Sequence, residues 1–255
     1  MSGPEQPILE VQDAVKRFGS VTALAKGNFQ LSRGEVHAIV GDNGAGKSTL
    51  LKIIAGAHRA DEGRLIVEGK TIELANPKAA SQYGISTVFQ DLALIDHLDA
   101  SANLFLGREL YKRPPLGWLG FLDRRRMRAR AVEEVRRLKV GVKSVDQLVA
   151  SMSGGQRQAV AVARAVAFGS KIVIMDEPTA ALGVRETAAV LQLIKELKAQ
   201  GLSIIMISHS LPDVFAVADR ITILRLGETI STVSAEDTSL EQIVGIMTGA
   251  YVPTK

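Results

Sequence analysis

Residues 41–49 read GDNGAGKST, with Gly41, Gly46, Lys47 and Ser48 at the spacing of a phosphate-binding loop. The residue types explain the chemistry. Gly44 and Gly46 let the backbone curl so that successive N–H groups face phosphate oxygens. A helix opening at Lys47 adds the partial positive charge of its N-terminus. Lys47 can reach the β- and γ-phosphates of a nucleotide, and the Ser48 hydroxyl can ligate Mg2+. A second pair, Asp176 and Glu177, ends the apolar run of KIVIMDEP. One carboxylate there suits a Mg2+-bound water, and the next can polarise an attacking water as general base. A third stretch, Ser153-Gly154-Gly155-Gln156, precedes an alanine- and valine-rich helix expected over residues 157–168. It reads as a backbone nest at a helix N-terminus, a second anion site. One small domain has no evident use for two cradles. A composite site, with the second supplied by another subunit, explains both.

The elements that must position these groups follow from pattern. Residues 8–15 alternate partly, and Phe29 and Leu31 precede an Arg33-Gly34 turn signal, so both read as strands. Residues 35–40 form a strand running into Gly41. Residues 47–55 form a helix stopped by Gly56. Residues 64–68 and 71–74 read as a hairpin about Gly69-Lys70, and 85–89 as a strand ending at Gln90. Strand signals then fade over 91–165. A Pro/Gly-rich stretch (KRPPLGWLGFLD) leads into an amphipathic helix with Met127, Ala131, Val135 and Leu138 on one side and Asp123 as its N-cap. After Gly169 the pattern resumes. Residues 172–175 and 202–207 are continuous apolar strands, as in a parallel sheet covered on both faces. A helix over 187–200, strands at 221–224 and 229–233 about Gly227, and a last helix over 239–248 complete it. The expected fold class is α/β, with 1–90 and 166–255 as the catalytic core and 91–165 as a helical insertion.

Composition bounds the function. Two hundred and fifty-five residues, 46% hydrophobic and 23% charged, describe a folded chain able to bury a large core. Cysteine is absent, so disulfides, cysteine-bound zinc and a thiol nucleophile are excluded. No apolar run approaches a membrane span, and MSGPEQPILE does not read as a secretory leader. The formal net charge is +4. Residues 108–139 hold eleven Lys/Arg against four Asp/Glu, leaving the rest slightly acidic. That segment could face nucleic acid, lipid headgroups or an acidic partner, or form a solvated helix face.

The set of motifs resembles the ATP-binding cassette (ABC) family over nearly the whole chain. GDNGAGKST resembles its Walker A motif, MSGGQ its signature motif, and IVIMDE its Walker B motif with the catalytic glutamate. The resemblance implies a P-loop NTPase (ABC ATPase) core with an N-terminal antiparallel β-subdomain and a helical subdomain insertion. It implies ATP and Mg2+ as ligands. It carries nucleotide contact to Gly41, Asn43, Gly44, Ala45, Gly46, Lys47, Ser48 and Thr49, and in trans to Ser153, Gly154 and Gly155. Metal contact falls to Ser48, Gln90 and Asp176, and catalysis to Glu177 and His209 with Lys47. Gln90 (VFQD) and His209 (ISHS) occupy the family's glutamine and histidine positions, and Phe18 (KRFG) that of its adenine-stacking aromatic. Taken singly, Gln90 could be a surface residue, His209 a helix cap and Phe18 core.

Two positions depart from the family pattern. Met152 replaces the usual leucine before SGGQ, a change of similar volume. Gly183, in PTAALG, stands where most relatives have an aspartate in the loop that crosses the dimer. The same departure marks ATP-binding subunits of monosaccharide importers of the ribose/xylose/fructose type, and PTAALGVRE resembles single-cassette members such as fructose-import ATP-binding proteins. The resemblance implies a homodimer sandwiching two Mg·ATP, a separate integral-membrane permease, an indirect sugar-binding protein outside the membrane, and docking at the cytoplasmic face of the membrane. Tyr111, Trp118 and Phe121 are candidate permease anchors. Two other readings stay open: an ABC ATPase acting on nucleic acid or the ribosome, motivated by the basic segment, and a non-hydrolysing regulatory cassette, motivated by Gly183.

Overall fold

The computed structural model describes residues 6–138 and 141–251. Lys139, at the end of the basic segment, lies outside them. The chain begins with β1 (Leu9–Phe18) and β2 (Val21–Leu31), then β3 (Val36–Val40) runs into the glycine loop and α1 (Lys47–Ile54). The hairpin β4 (Glu62–Val67) and β5 (Lys70–Ile72) is followed by α2 (Pro77–Gln82) and β6 (Ile85–Val88). Three helices come next: α3 (Ala100–Leu104), α4 (Arg124–Arg137) and α5 (Gly154–Val166). The α/β pattern then resumes with β7 (Ile172–Asp176), α6 (Val184–Ala199), β8 (Ser203–Ile207), α7 (Leu211–Val217), β9 (Arg220–Arg225), β10 (Glu228–Ser234) and α8 (Leu240–Thr248).

All ten strands join in the order β5-β4-β1-β2-β10-β9-β3-β8-β7-β6. One end is antiparallel (β5, β4, β1, β2) and the other parallel (β9, β3, β8, β7, β6). This is the expected α/β fold with an N-terminal antiparallel part. The buried runs of β3, β7 and β8 are continuous because helices cover both faces.

The N-terminal strands are longer than their alternation predicts. A register break between Val11 and Ala14 interrupts β1, where Asp13 sits at φ 48° and its N–H donates to Asn28 Oδ1 at 2.9 Å. Such a bulge flips the inward set part-way along, which blurs the period of two. The β4–β5 turn also differs from expectation. Val67 pairs with Lys70, so the two loop residues are Glu68 and Gly69, at φ 49° and 75°. Two left-handed residues match the right-handed twist of a hairpin, and Gly69 takes the second at no steric cost.

The regular elements of the insertion are helices, and it also carries two isolated bridges, Asp99–Leu148 and Tyr111–Leu122. Asp123 caps α4 by accepting from Arg126 N–H at 3.0 Å, as the sequence suggests. Met127, Ala131, Val135 and Leu138 are buried. They pack in one cluster with Leu104 and Phe105 and with sheet residues Val88, Val173, Met175 and Ile204. The insertion therefore shares a core with the sheet.

Beneath the glycine loop, β3 carries a buried polar group. His37 Nε2 lies 2.7 Å from Thr222 Oγ1, and Nδ1 lies 3.4 Å from Glu35 Oε1. Arg220 Nη1 approaches that same oxygen at 3.5 Å. Burial foremost, and then the Arg220 charge, hold the His37 pKa down to about 3. Below pH 6.5 the unfolded chain takes a proton at this site and the folded chain does not, so acidification destabilises the fold. From pH 7 to pH 5 this one group should cost about 2 kcal/mol. Urea unfolding of wild type and His37→Gln at both pH values tests this. The pH-dependent loss should shrink by about that amount in the variant, and equal losses in both proteins would reject it.

Candidate functional site

Four neighbouring parallel strands, β3, β8, β7 and β6, end at one edge of the sheet. Their register is close: Ile39 pairs with Ile207, Asp176 with Ile207, and Val88 with Met175. The Gly41 loop, His209, the Asp176–Glu177 pair and Gln90 follow these ends directly. Ligands of open α/β sheets bind at this carboxyl edge.

The loop is shaped for an anion. Gly41, Gly44 and Gly46 have φ of 151°, 83° and 99°. At Gly41 a Cβ would stand 2.2 Å from the Leu224 carbonyl oxygen, so only glycine fits between the loop and β9. Of the eight described α-helices, α1 alone has neither a capping side chain nor an acidic residue in its first turn. Its first N–H groups have no side-chain acceptor, the arrangement that suits an anion. Lys47 is buried and folds back, donating to the Gly41 and Asp42 carbonyl oxygens at 2.6 and 3.0 Å. Burial lowers its pKa, while Glu177, Asp42 and Asp176 pull the other way. A phosphate would relieve that burial more fully than two carbonyl dipoles do. Asn43, Gly44 and Ser48 are exposed at the loop, and Ala45 is buried beneath it.

Asp176 is half-buried, and burial together with the adjacent Glu177 raises its pKa. A nearby cation would reverse that shift. Glu177 leaves the strand through a left-handed backbone, φ 52°, which costs a non-glycine residue about 1 kcal/mol or more. Its Oε2 lies 2.7 Å from His209 Nδ1 and also accepts from the His209 backbone N–H at 3.4 Å. Glu177 is nearly enclosed, with 15% of its side chain exposed, whereas His209 is 72% exposed. The histidine thus holds the carboxylate from the solvent side. Gln90 is exposed and lines a shallow cleft together with Asp176.

Phe18 ends β1 with 46% of its surface exposed. Its ring stands edge-on to His58, with centroids 5.2 Å apart, and Lys16 Nζ lies 5.6 Å from its centre. It is therefore not core.

Ser153 lines a different cleft, with Gly155, Gln156, Glu186 and Leu193. No described hydrogen bond or ion pair links it to Lys47, Asp176, Glu177 or His209. Its Oγ accepts from Gln156 N–H at 3.4 Å while the Gln156 side chain accepts from Ser153 N–H at 3.0 Å, a reciprocal cap on α5. Gly154 and Gly155 are the first helical residues and neither is left-handed, so the expected nest is an ordinary helix N-terminus. The space beside them is tight: Cβ atoms there would meet the Leu182 and Glu186 side chains at 2.7 and 3.2 Å. Gly183 is the N-cap of α6 at an unstrained φ of −73°, so its backbone does not require glycine.

Two contributors carried no sequence signal. Arg164 on α5 donates to the Leu92 and Ala93 carbonyl oxygens at 2.6 and 2.7 Å, and Arg157 on the same helix pairs with Asp96 at 2.7 Å. Leu92 and Ala93 are both left-handed, φ 56° and 46°. These arginines fasten the segment after Gln90 to the helix that begins at Ser153. An arginine inside an alanine-rich helix reads as surface until its partner is known. Arg164→Met should lower unfolding stability by about 2–3 kcal/mol, because two carbonyls lose a charged donor. Denaturant titration checks this, and a change below about 0.5 kcal/mol would show the clamp to be idle.

Loop, lysine, paired carboxylates and histidine on one sheet edge define a nucleotide-hydrolysing P-loop protein. The ABC transporter family matches residues 24–180. The fructose import ATP-binding protein of Rhizobium meliloti is 49% identical over 98% of this chain and 97% of its own length. The xylose/arabinose import ATP-binding protein of Sulfolobus acidocaldarius is 44% identical, covering 94% of each. The ribose import ATP-binding protein of Bacillus subtilis is 41% identical over 94% of this chain, which spans 48% of that relative. Among solved structures, an ABC transporter cassette in its ADP conformation superposes with a TM-score of 0.79 at 29% identity, covering 97% of both chains. A dimeric cassette bound to ADP and Pi gives 0.72 at 25%, covering 89% of this chain and 98% of that one. The chain belongs to the ABC transporter family of ATP-binding cassettes.

Proposed function

We propose that this chain is the ATP-hydrolysing subunit of a monosaccharide importer. The observation that carries the hydrolytic reading is the Glu177–His209 contact at 2.7 Å beside a buried Lys47. On nucleotide arrival Lys47 exchanges the Gly41 and Asp42 carbonyls for phosphate oxygens, and the α1 N–H groups take the rest of the negative charge. Glu177 accepts the proton of the attacking water, with His209 fixing which carboxylate oxygen is free to do so.

The residues fit Mg2+ in one particular way. No group of three or more His, Cys, Asp or Glu able to hold a metal occurs among the described residues. Ser48 and Asp176 supply hard oxygen donors, which suits an ion that takes one carboxylate and completes its shell with phosphate and water. Gln90, on the Asp176 cleft, is a further donor. Bound there, Mg2+ would neutralise charge on the β- and γ-phosphates.

The place of Ser153 in a different cleft supports the composite reading, in which a second copy brings its α5 N-terminus to the phosphates. Within residues 91–165, the groove lined by His97, Leu98, Leu106, Leu122 and Met127 faces the permease. Docking is at the cytoplasmic face. No helix among the described residues is long and apolar enough to cross a membrane. Relatives named for fructose, xylose/arabinose and ribose import support a monosaccharide cargo. Phosphate release by the purified chain, with and without Mg2+, and alone or co-expressed with a candidate permease, tests the proposal. Mg2+-dependent hydrolysis and co-purification with the permease support it. Nucleotide binding without hydrolysis in either setting would favour the regulatory reading, and co-purification with nucleic acid the other one.

A further inference from the structure

The segment between α3 and α4 presents an apolar surface that the hydrolytic reading leaves unused. Trp118 is 83% exposed and Leu119 72%, and Tyr111, Leu116 and Phe121 are also exposed. Five large apolar side chains within eleven residues are left in water, an arrangement that marks an interaction site. The segment is not loose. Tyr111 bridges Leu122, Lys112 N–H donates to the Phe121 carbonyl at 2.9 Å, and Asp123 N–H donates to the Leu110 carbonyl at 2.6 Å. Inside this neck, Trp118 N–H donates to the Pro115 carbonyl at 3.1 Å and Phe121 N–H to that of Leu116 at 3.2 Å. The result is a closed loop with apolar side chains at its tip.

Charge says what covers it. The neck brings Lys112 and Arg113 on one leg to the same base as Arg124, Arg125 and Arg126 on the other. All five are exposed, and none forms an ion pair among the described residues. No acidic residue lies between Tyr111 and Leu122. The two that flank the loop are engaged: Glu109 accepts from Gly107 N–H at 2.9 Å and Asp123 from Arg126 N–H at 3.0 Å. Aromatic and leucine side chains at a tip, ringed by unpaired cations, match a lipid–water boundary carrying negative headgroups. From this we infer that residues 111–126 seat the chain directly on an anionic lipid bilayer, independently of any permease.

Trp118 is the only tryptophan in the chain, so its emission reports the tip alone. The purified protein is titrated with vesicles of phosphatidylcholine and with vesicles of equal parts phosphatidylcholine and phosphatidylglycerol. The expected result is a blue shift and co-sedimentation with the second only, weakened by added salt. Arg125→Gln with Arg126→Gln should weaken binding about tenfold or more. Leu119→Ser with Phe121→Ser should abolish the shift. ATP hydrolysis should persist in both variants, since neither touches the sheet edge, and this shows that they fold. Unshifted emission with protein left in the supernatant would overturn the inference. So would equal, salt-independent binding to both vesicles, or a Trp118 shift seen only with nucleic acid or with detergent-solubilised permease.

Discussion

Glu177→Gln should retain nucleotide binding and lose two or more orders of magnitude in turnover. Removal of a general base typically costs about 10²–10⁴ in rate. The substitution is specific because little else changes. The amide oxygen can still accept from His209, whose Nδ1 lies 2.7 Å from Glu177 Oε2 in the native chain. The left-handed backbone at φ 52° is as costly for glutamine as for glutamate. Asp42 and Asp176 remain to favour the charged form of Lys47, so phosphate binding keeps its cation. What disappears is the ability to take a proton from water. Phosphate release at saturating Mg·ATP, set beside calorimetric nucleotide affinity, separates the two effects. With hydrolysis blocked, the variant should also elute as an ATP-bound dimer in gel filtration. Turnover near wild type would show that another group orients the water. His209, with most of its ring exposed, is the first to substitute next.

That the candidate residues meet at one sheet edge was legible in the sequence, because they sit in short runs at strand ends. Gly41 to Thr49, Asp176-Glu177 and His209 each follow an apolar run, and parallel strands put such ends on one edge. The 2.7 Å Glu177–His209 contact unites residues 32 apart in sequence, but adjacent strands make that proximity predictable. Helix boundaries near strong caps were legible too, with Asp123 and Ser239 starting α4 and α8 as read.

The remainder depended on information absent from any local window. The β1 bulge needs Asn28 from the next strand to satisfy Asp13 N–H, so the broken alternation had no visible cause. Arg164 binds carbonyls 71 and 72 residues away, and backbone oxygens leave no trace in side-chain patterns. Gly154 and Gly155 looked like conformational glycines because Ser-Gly-Gly favours a nest. Neither is left-handed, and what crowds them is the close approach of the Leu182 and Glu186 side chains. The sequence marks Tyr111, Trp118 and Phe121 as candidate permease anchors, and only the hydrogen-bonded neck brings both basic legs to one base.

Lys47→Ala and Ser153→Arg should each abolish ATP-driven dimerisation, and mixing the two inactive proteins should restore part of it. Lys47 is buried, and in the proposed site it is the cation for the β/γ-phosphates, so its loss from a water-poor site should cost several kcal/mol, on the order of 10²-fold or more in affinity. Calorimetry should show that loss directly, and unchanged affinity would refute the phosphate-loop assignment. Among the described residues Ser153 makes no hydrogen bond to that site within its own chain, and its hydroxyl caps α5 at the exposed start of the helix. If it acts on the phosphates held by a second copy, the lesions belong to different halves of each composite site. In a mixed dimer one interface carries both lesions, and the other joins an intact Lys47 to an intact Ser153. One nucleotide can then be clamped, and the dimer fraction should rise with ATP above that of either parent. If both residues served a site within one chain, neither subunit would own a complete site and mixing would restore nothing. The measurement is the dimer fraction against ATP for each variant and for the mixture, with subunit exchange verified by distinguishable labels. A mixture no better than its parents would rule out action in trans.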